Sequence, residues 1–197
     1  MNKVKLNEIA EINQGNILTR IKPVNQLDEV EADSISMQEL SYYVGILDSF
    51  DNYTKSKVSL SKLSSYIFTK QKDIVVGLSS RKAMVIEEER SNKLLLSNFA
   101  LVRADMSKLD PYYFCWLLNE NLQFQKRLEQ KVQGSANVSI LPINTLKELE
   151  LDLPNINIQR KVGLLYNLYR KRERLCKIIM EKENIVMNYH LNKINNL

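Results

Sequence analysis

The last forty residues of the chain carry apolar side chains at alternating spacings of three and four positions, which is typical of a helix with one apolar stripe. Pro154 ends the extended stretch before it, and Asn155 or Asn157 is placed to cap the helix. The pattern predicts a single helix from about residue 156 to 194, roughly 58 Å long at 1.5 Å per residue. Its stripe, with the residues that widen it, comprises Leu164, Leu165, Leu168, Leu175, Ile178, Ile179, Ile185, Val186 and Tyr189.

The stripe follows a heptad spacing with two polar interruptions, Arg172 and Lys182. A helix of this length extends beyond a small domain, so its apolar stripe needs a partner along it. We expect the stripe to pair with another helix. The alternative is that the helix folds back on its own domain.

Residues 1–153 show both strand and helix patterns, which predicts one α+β domain ahead of the helical segment 154–197. Asp110 and Pro111 predict the start of a helix that runs to about residue 130. A polar loop over residues 131–139 and a short helix over 143–147 follow. Apolar runs predict strands at residues 74–78, 83–86, 94–96, 98–104 and 150–153.

The composition is that of a globular protein, with 44% hydrophobic and 26% charged residues in 197, and it excludes collagen-like and disordered chains. No apolar run reaches the roughly 18 residues of a membrane span, and the N-terminus lacks a signal peptide pattern. We therefore expect no membrane partner and a cytoplasmic location, with Cys115 and Cys176 as reduced thiols. A single histidine, His190, argues against His-based zinc sites and against Ser-His or Cys-His catalysis.

The positive charge is concentrated in the C-terminal segment. Residues 156–197 hold nine Lys and Arg against three Glu, a net charge of +6, whereas residues 1–155 have a net charge of −1. A basic segment of this kind is compatible with nucleic acid or with an acidic partner.

Two catalytic interpretations are weak. The sequence Asp110-Pro111-Tyr112-Tyr113 resembles the Asp/Asn-Pro-Pro-Tyr box of amino-methyltransferases, but it lacks the second proline and a preceding Gly-rich loop. A helix start explains it better. Acidic residues with a lysine near strand ends would suit a small metal-dependent nuclease, and these are Asp73, Glu87, Glu88 and Lys82. The acid-any-Lys tripeptide of such sites is absent, and Glu87 to Arg90 has the pattern of a solvated turn.

Basic, amide and hydroxyl side chains cluster in the predicted loops. Such side chains contact phosphates and read base edges, so their placement favours binding over chemistry. Arg81 and Lys82 follow two small serines in a tight turn, where the backbone can approach phosphate, and Lys62 and Lys72 are further cations in these loops. The predicted DNA contacts are Arg20, Lys22, Lys55, Lys57, Lys70, Ser79, Ser80, Arg81, Lys82, Lys131, Gln133, Ser135 and Asn137.

Five stretches of the chain resemble the specificity (S) subunit of type I restriction–modification systems. Val4 to Gly15 is similar to the opening segment of that family, and Asp73-Ile74-Val75-Val76 is similar to one of its strands. Asp110-Pro111-Tyr112-Tyr113 and then the run from Gly134 to Pro154 follow the approach to the conserved helix, and Gln159-Arg160-Lys161-Val162 resembles the start of that helix. Residues 23–70 match no motif of the family.

The resemblance implies a target-recognition domain that reads double-stranded DNA and has no catalysis, metal or cofactor of its own. S-adenosylmethionine would belong to a methyltransferase (modification) subunit. ATP and magnesium would belong to a nuclease-translocase subunit, a further partner in some systems. Full-length members pair two conserved helices antiparallel, and this chain has one. We therefore expect a homodimer through an antiparallel coiled coil that directs its partners to a bipartite target.

Two other functions stay open at this stage. The chain could be an S-like interaction protein, or decoy, that binds the modification subunit without reading DNA; the near-neutral domain is compatible with this. The less favoured alternative is the small metal-dependent nuclease that uses Asp73.

Overall fold

The computed structural model describes residues 2–50, 54–133 and 140–195. Within these ranges the chain forms eight strands, β1 (Asn2–Lys5), β2 (Ala10–Gln14), β3 (Glu29–Asp33), β4 (Lys55–Ser59), β5 (Ile74–Gly77), β6 (Ala83–Val85), β7 (Phe99–Ala104) and β8 (Glu150–Leu153). The same ranges contain six α-helices, α1 (Leu18–Ile21), α2 (Met37–Tyr43), α3 (Pro111–Asn119), α4 (Leu122–Gln133), α5 (Ile143–Lys147) and α6 (Ile156–Asn195). The predicted α+β class with a long C-terminal helix is confirmed.

A four-stranded antiparallel sheet, in the order β2-β7-β5-β6, lies at the centre of the domain. Successive side chains of a strand point to opposite faces. In β5, Ile74 and Val76 enter one hydrophobic core, whereas Val75 enters a second core on the other face. This burial on both faces explains why the strand is continuously apolar in the sequence although its neighbours are antiparallel.

The two faces are covered by different elements. On one face, Phe114 of α3, Leu128 of α4 and Leu146 of α5 build the larger core, which the pair β1–β8 closes. On the other face, Leu40 of α2 packs with Phe99 and Leu101 of the sheet. The sheet is therefore held between layers, as in other α+β domains.

A smaller lobe projects from this sandwich and is built around the antiparallel pair β3–β4. Its core consists of Ile21, Val58 and Leu94, with partly buried side chains around them. This lobe includes most of residues 23–70, the stretch for which the sequence supplied no recognisable motif.

Gln159 anchors the start of α6 to the domain. Its side chain is 1% exposed, and its Oε1 accepts a hydrogen bond from the backbone N–H of Asp110 at 3.1 Å. Its Nε2 donates to the carbonyls of Lys108 (3.0 Å) and Pro154 (2.9 Å). Because both amide hydrogens and the amide oxygen are bonded, a polar side chain is accommodated in the interior without an unpaired group.

Gly163, one turn further along α6, lets the helix approach the N-terminus of α3. A Cβ at this position would lie 2.2 Å from Asp110 Oδ1 and 2.9 Å from the backbone nitrogen of Tyr113. Asp110 caps α3 by accepting from the same Tyr113 N–H at 2.9 Å. The close crossing of the two helices thus requires a residue without a side chain.

Asn119, at the end of α3, joins α6 to the edge strand β6. Its Oδ1 accepts from the N–H of Ala83 (2.8 Å), and its Nδ2 donates to the carbonyl of Ala83 and to the hydroxyl of Tyr166, both at 2.7 Å. Burial raises the pKa of Tyr166 to about 12, so its hydroxyl stays neutral. The backbone N–H and carbonyl of Ala83 at the sheet edge are thus hydrogen-bonded by a side chain and not by another strand.

Ion pairs continue the contact between α6 and the domain as far as Lys177. Arg170 pairs with Glu120, Lys171 Nζ lies 3.2 Å from Glu87, and Lys177 Nζ lies 2.7 Å from Asp48. From Ile178 to Asn195 every side chain is exposed. The helix therefore has a docked half and a projecting half about 27 Å long at 1.5 Å per residue.

The start and length of α6 confirm the sequence prediction, and Asn155 is the cap, because its Oδ1 accepts from the N–H of Ile158 at 3.0 Å. The helix also packs on its own domain, but through the face of Gln159, Gly163 and Tyr166. The predicted stripe lies on the opposite face and stays exposed, as at Leu165 (71%). The alternative in which the helix folds back on its own domain thus holds for one face, and pairing along the exposed stripe stays a prediction.

Three local predictions were wrong. Residues 94–96 form isolated bridges and no strand, because they lie between β3 and residues 67–68 and bond alternately to each side. The helix predicted from Pro111 to about residue 130 breaks after Asn119, where Asn121 caps α4 through the N–H of Phe124 at 2.9 Å. Helix α4 then reaches Gln133, so Lys131 and Gln133 are helical. The predicted helix 143–147 and strand 150–153 are confirmed.

Gly163→Ala should destabilise the fold by about 2 kcal/mol, because the added methyl group would overlap Asp110 and force α6 away from α3. Inside a helix, alanine is intrinsically more favourable than glycine by about 1 kcal/mol. A loss of stability in this variant would therefore come from the α6–α3 contact and not from helix propensity. Urea unfolding followed by circular dichroism measures the effect. Lys161→Ala, at an exposed position of the same helix, is the control and should leave the unfolding midpoint unchanged. An unchanged midpoint for Gly163→Ala would contradict the close crossing.

Candidate nucleic-acid interface

The sequence pattern placed Lys55 and Lys57 on a loop, but they lie on strand β4, which pairs with β3. In Lys55–Ser59 the side chains of Ser56 and Val58 point inward and those of the lysines point outward, the alternation of a half-buried strand. Lys55 Nζ lies 2.9 Å from Glu31, and Lys57 Nζ lies 2.6 Å from Glu29 on β3. The Glu31 carboxylate raises the pKa of Lys55. Both lysine charges are compensated within the domain.

The turn from Ser79 to Lys82 joins β5 to β6, as the sequence indicated. The N–H of Arg81 donates to the carbonyl of Gly77 at 2.8 Å, and Arg81 adopts a φ of 56°. Lys82 Nζ donates to the carbonyl of Asn119 at 2.8 Å, at the C-terminus of α3, where a cation is favourable. Ser79 is exposed and Ser80 partly buried. The turn lies beside α4, across a shallow groove that Gln125 and Glu129 also line.

The chain that follows α4 returns to this turn, since the N–H of Leu141 donates to the carbonyl of Leu78 at 2.8 Å. Ser135 and Asn137 lie outside the described residues, and so does the side chain of Gln133. Lys131 is exposed on α4. For these residues DNA contact stays a prediction.

Lys70 is exposed in the turn before β5, and its backbone N–H donates to Asp73 Oδ2 at 2.8 Å. Asp73 is buried and pairs with Arg103, whose Nε lies 3.1 Å from Oδ1. The carboxylate singled out by the nuclease interpretation thus holds the start of β5 against β7. The described residues contain no cluster of three or more His, Cys, Asp or Glu side chains arranged to hold a metal ion.

The two cysteines differ in environment. Cys115 is fully enclosed in the larger core, and burial raises the pKa of its thiol, so the reactive thiolate is disfavoured. Cys176 is exposed on α6. No helix in the described ranges combines the length and apolar character that a membrane span requires.

Arg20 and Lys22 are exposed at the end of α1. Arg20 lines a groove opposite Lys62, which belongs to a six-residue 3₁₀ helix, Leu60–Ser65. Gln14, Ser65 and Tyr66 also line this groove. The sequence identified Lys62 as a loop cation, but nothing in the pattern indicated that residues about forty positions apart face each other.

The predicted stripe of α6 forms one long exposed face. The four apolar side chains at its heptad positions Leu165, Leu168, Leu175 and Ile179 are all more than half exposed. Val186 and Tyr189 continue the stripe into the projecting half of the helix, together with Ile178 and Ile185, whereas Leu164 widens it near the domain. An exposed apolar face of this length, interrupted by Arg172 and Lys182, is a typical site of helix pairing.

Three solved structures with a similar fold come from type I restriction–modification systems. The first is a structure reported for complex assembly and conformational transition of a type I restriction–modification system, with a TM-score of 0.58, 13% identity and 98% of this chain covered. The HsdS subunit from Thermoanaerobacter tengcongensis matches over 98% of this chain with a TM-score of 0.57 and 13% identity. The type I S subunit from M. genitalium matches over 95%, with a TM-score of 0.58 and 16% identity.

The shared feature is an α+β domain followed by a long helix, so the chain has the fold of type I S subunits. It spans about half of each matched chain, namely 49%, 48% and 44%. No protein-family model matches the sequence, and the search of curated proteins found no match either. The resemblance noted from the sequence motifs is therefore supported by the three-dimensional fold.

Asp73→Asn should lower the free energy of unfolding by about 2 kcal/mol, since it leaves Arg103 without its buried partner. Urea unfolding measures this loss. Glu31→Gln, which breaks the exposed pair with Lys55, is the matched control and should cost less than about 0.5 kcal/mol. Magnesium-dependent cleavage of plasmid DNA by the wild-type chain, abolished in Asp73→Asn while the fold persists, would restore the nuclease interpretation.

Proposed function

We propose that the chain is the DNA-recognition component of a type I restriction–modification complex and is itself non-catalytic. The observation that carries this proposal is the match of 95–98% of the chain to S-subunit structures. The domain would bind double-stranded DNA, and α6 would set its position relative to a second recognition domain. A methyltransferase subunit would supply S-adenosylmethionine chemistry, and a nuclease-translocase subunit would supply ATP- and magnesium-dependent chemistry.

The exposed stripe of α6 supports pairing with the same helix of a second copy. Its heptad spacing, Leu165, Leu168, Arg172, Leu175 and Ile179, continues without a stutter to Val186 and Tyr189. The domain-facing residues occupy the opposite side of the helix, so a partner helix can lie along the stripe without displacing the domain. An antiparallel two-fold dimer would place one recognition domain at each end and would read a split palindrome.

A decoy that binds the methyltransferase subunit without reading DNA is the second candidate. The observation that favours it is that three candidate cations already have partners, since Lys55 and Lys57 form ion pairs and Lys82 bonds to a backbone carbonyl. Such a protein would associate with DNA only weakly and in a salt-sensitive way.

A selection from a random duplex pool separates these functions. The purified chain is used with and without its methyltransferase subunit, at about 150 mM salt, where non-specific binding is weak. Enrichment of a two-part palindrome is the expected result. Enrichment of a lone half-site would support DNA recognition but contradict the symmetric dimer. The absence of enrichment under both conditions would favour the decoy.

The double variant Leu168→Asp, Ile179→Asp should be monomeric with an intact domain, because it places charges in the middle of the stripe while leaving the domain-facing residues unchanged. Light scattering gives the mass, and circular dichroism gives the fold. Met180→Asp with Ile194→Asp, two exposed residues outside the stripe, adds the same charge and should remain dimeric. A stripe variant that keeps the dimer mass would exclude this face as the interface.

A further inference from the structure

The groove between α1 and the 3₁₀ helix Leu60–Ser65 differs from the other basic surfaces of the domain in its charge. Arg20 and Lys62 line it, and none of the described residues that line it is acidic. Within the described part of the chain, neither Arg20, Lys62 nor the neighbouring Lys22 takes part in an ion pair. These cations are available to an external anion, whereas using Lys55, Lys57 or Lys82 would break existing bonds.

The walls of this groove are held in place by the domain. A Cβ on Gly15 would lie 2.2 Å from the carbonyl oxygen of Leu96, so the backbone at the base of the groove is in direct contact with the scaffold. Asn16 donates to the carbonyl of Leu95 at 2.9 Å, and the hydroxyl of Tyr66 donates to the carbonyl of Ile21 at 3.3 Å. The two walls are therefore tied to each other and to the scaffold before any ligand arrives, which favours specific binding.

Asp28, the first acidic residue after α1, forms its hydrogen bonds within the lobe. Its Oδ1 accepts from the N–H of Ser61 at 2.9 Å, and its Oδ2 accepts from the N–H of Val24 at 3.4 Å. Hydrogen bonds from the Ser59 side chain and the Ser61 backbone lower the pKa of Asp28 to about 2, so it stays ionised. Asp28 thus fastens the loop after α1 to the 3₁₀ helix.

This fastened loop presents two aliphatic side chains to solvent. Val24 is 81% exposed and Leu27 is 93% exposed, beside the unpaired cations. Exposed apolar groups beside arginine and lysine suit a nucleic-acid duplex, whose phosphate backbones flank a major groove that presents base edges and thymine methyl groups.

We infer that this groove is the place where the chain reads duplex DNA. Arg20 donates its guanidinium fork to a base edge, preferentially the O6 and N7 acceptors of guanine. Lys62, with Lys22 beside it, neutralises phosphates and sets the register. The inference rests on the proposed DNA-recognition function and adds to it the surface of the domain that makes the contact.

The test compares single variants of the full chain in the random-duplex selection and in anisotropy titrations with the duplex that the wild type enriches. Arg20→Ala should lose about ten- to a hundredfold in affinity and its preference at one base pair. Arg20→Lys should keep the salt dependence of binding but lose that preference. Lys62→Ala should weaken all duplexes equally and lower the slope of log affinity against log salt by about one.

Lys57→Ala is the charge-matched control, because it removes one exposed positive charge that already has a partner, Glu29. Its affinity should stay within about threefold of the wild type. The three positions Arg20, Lys57 and Lys62 belong to the small lobe, and their side chains are exposed, so thermal unfolding should be the same for all four variants.

Three results would overturn the inference, and they differ in what they leave standing. In the first, the wild type enriches a duplex, but Arg20→Ala and Lys62→Ala bind it as Lys57→Ala does. This would exclude the groove as the DNA-binding surface, while DNA recognition by the chain would remain. In the second, Arg20→Ala and Lys62→Ala select the same duplex as the wild type but no longer bind the methyltransferase subunit. The groove would then be a protein interface. No enrichment by the wild type, with or without the methyltransferase subunit, would remove the proposed function and this inference together.

Discussion

The crossing of α6 over the start of α3 is the contact on which the arrangement of the whole molecule depends. Gln159 satisfies the backbone before α3, Gly163 removes the side chain that would separate the helices, and Tyr166 reaches the asparagine that closes the sheet edge. One face of α6 is thereby used within the chain, and its first six turns become part of the domain. The opposite face and the projecting half of α6 stay accessible to a partner. Because the other face is packed on the domain, the domain fixes the direction in which the accessible face points.

Compensation of charge divides the surface of the domain into two kinds of region. Strand β4 carries lysines that are neutralised across the β3–β4 ladder, and Lys82 stabilises the end of a helix. Among the residues that the structure describes, the cations of the groove beside α1 form no ion pair. A net charge near zero over residues 1–155 therefore conceals a local positive surface. Net charge alone is a poor guide to where a polyanion would bind, because pairing decides which charges remain effective.

The elements with a strong local signal were predicted well. Asp110 and Pro111 mark the start of α3, Asn155 marks the start of α6, and the apolar run at Ile74 marks a buried strand. Two predictions failed for different reasons. The break before α4 has a local signal, because Asn121 accepts from the N–H of Phe124, but the apolar pattern continues across it. Residues 94–96 bond to two different segments instead of one strand. The small lobe was missed because its strands are short and their inward positions include Ala32 and Ser56, so the apolar signal is weak. The sequence identified the cations among the predicted contact residues by their residue type. It did not show which of them form ion pairs.

The sequence alone determined the α+β character, the long terminal helix and its heptad stripe, because periodicity and capping residues act over a few neighbouring positions. It also contained the motifs that resemble S subunits. Only the tertiary structure decided which lysines are neutralised, why Gln159 and Gly163 occupy their positions, and that Arg20 faces Lys62 across one groove. Those facts depend on residues distant in the chain, and the folded backbone brings them together through contacts that no local pattern encodes.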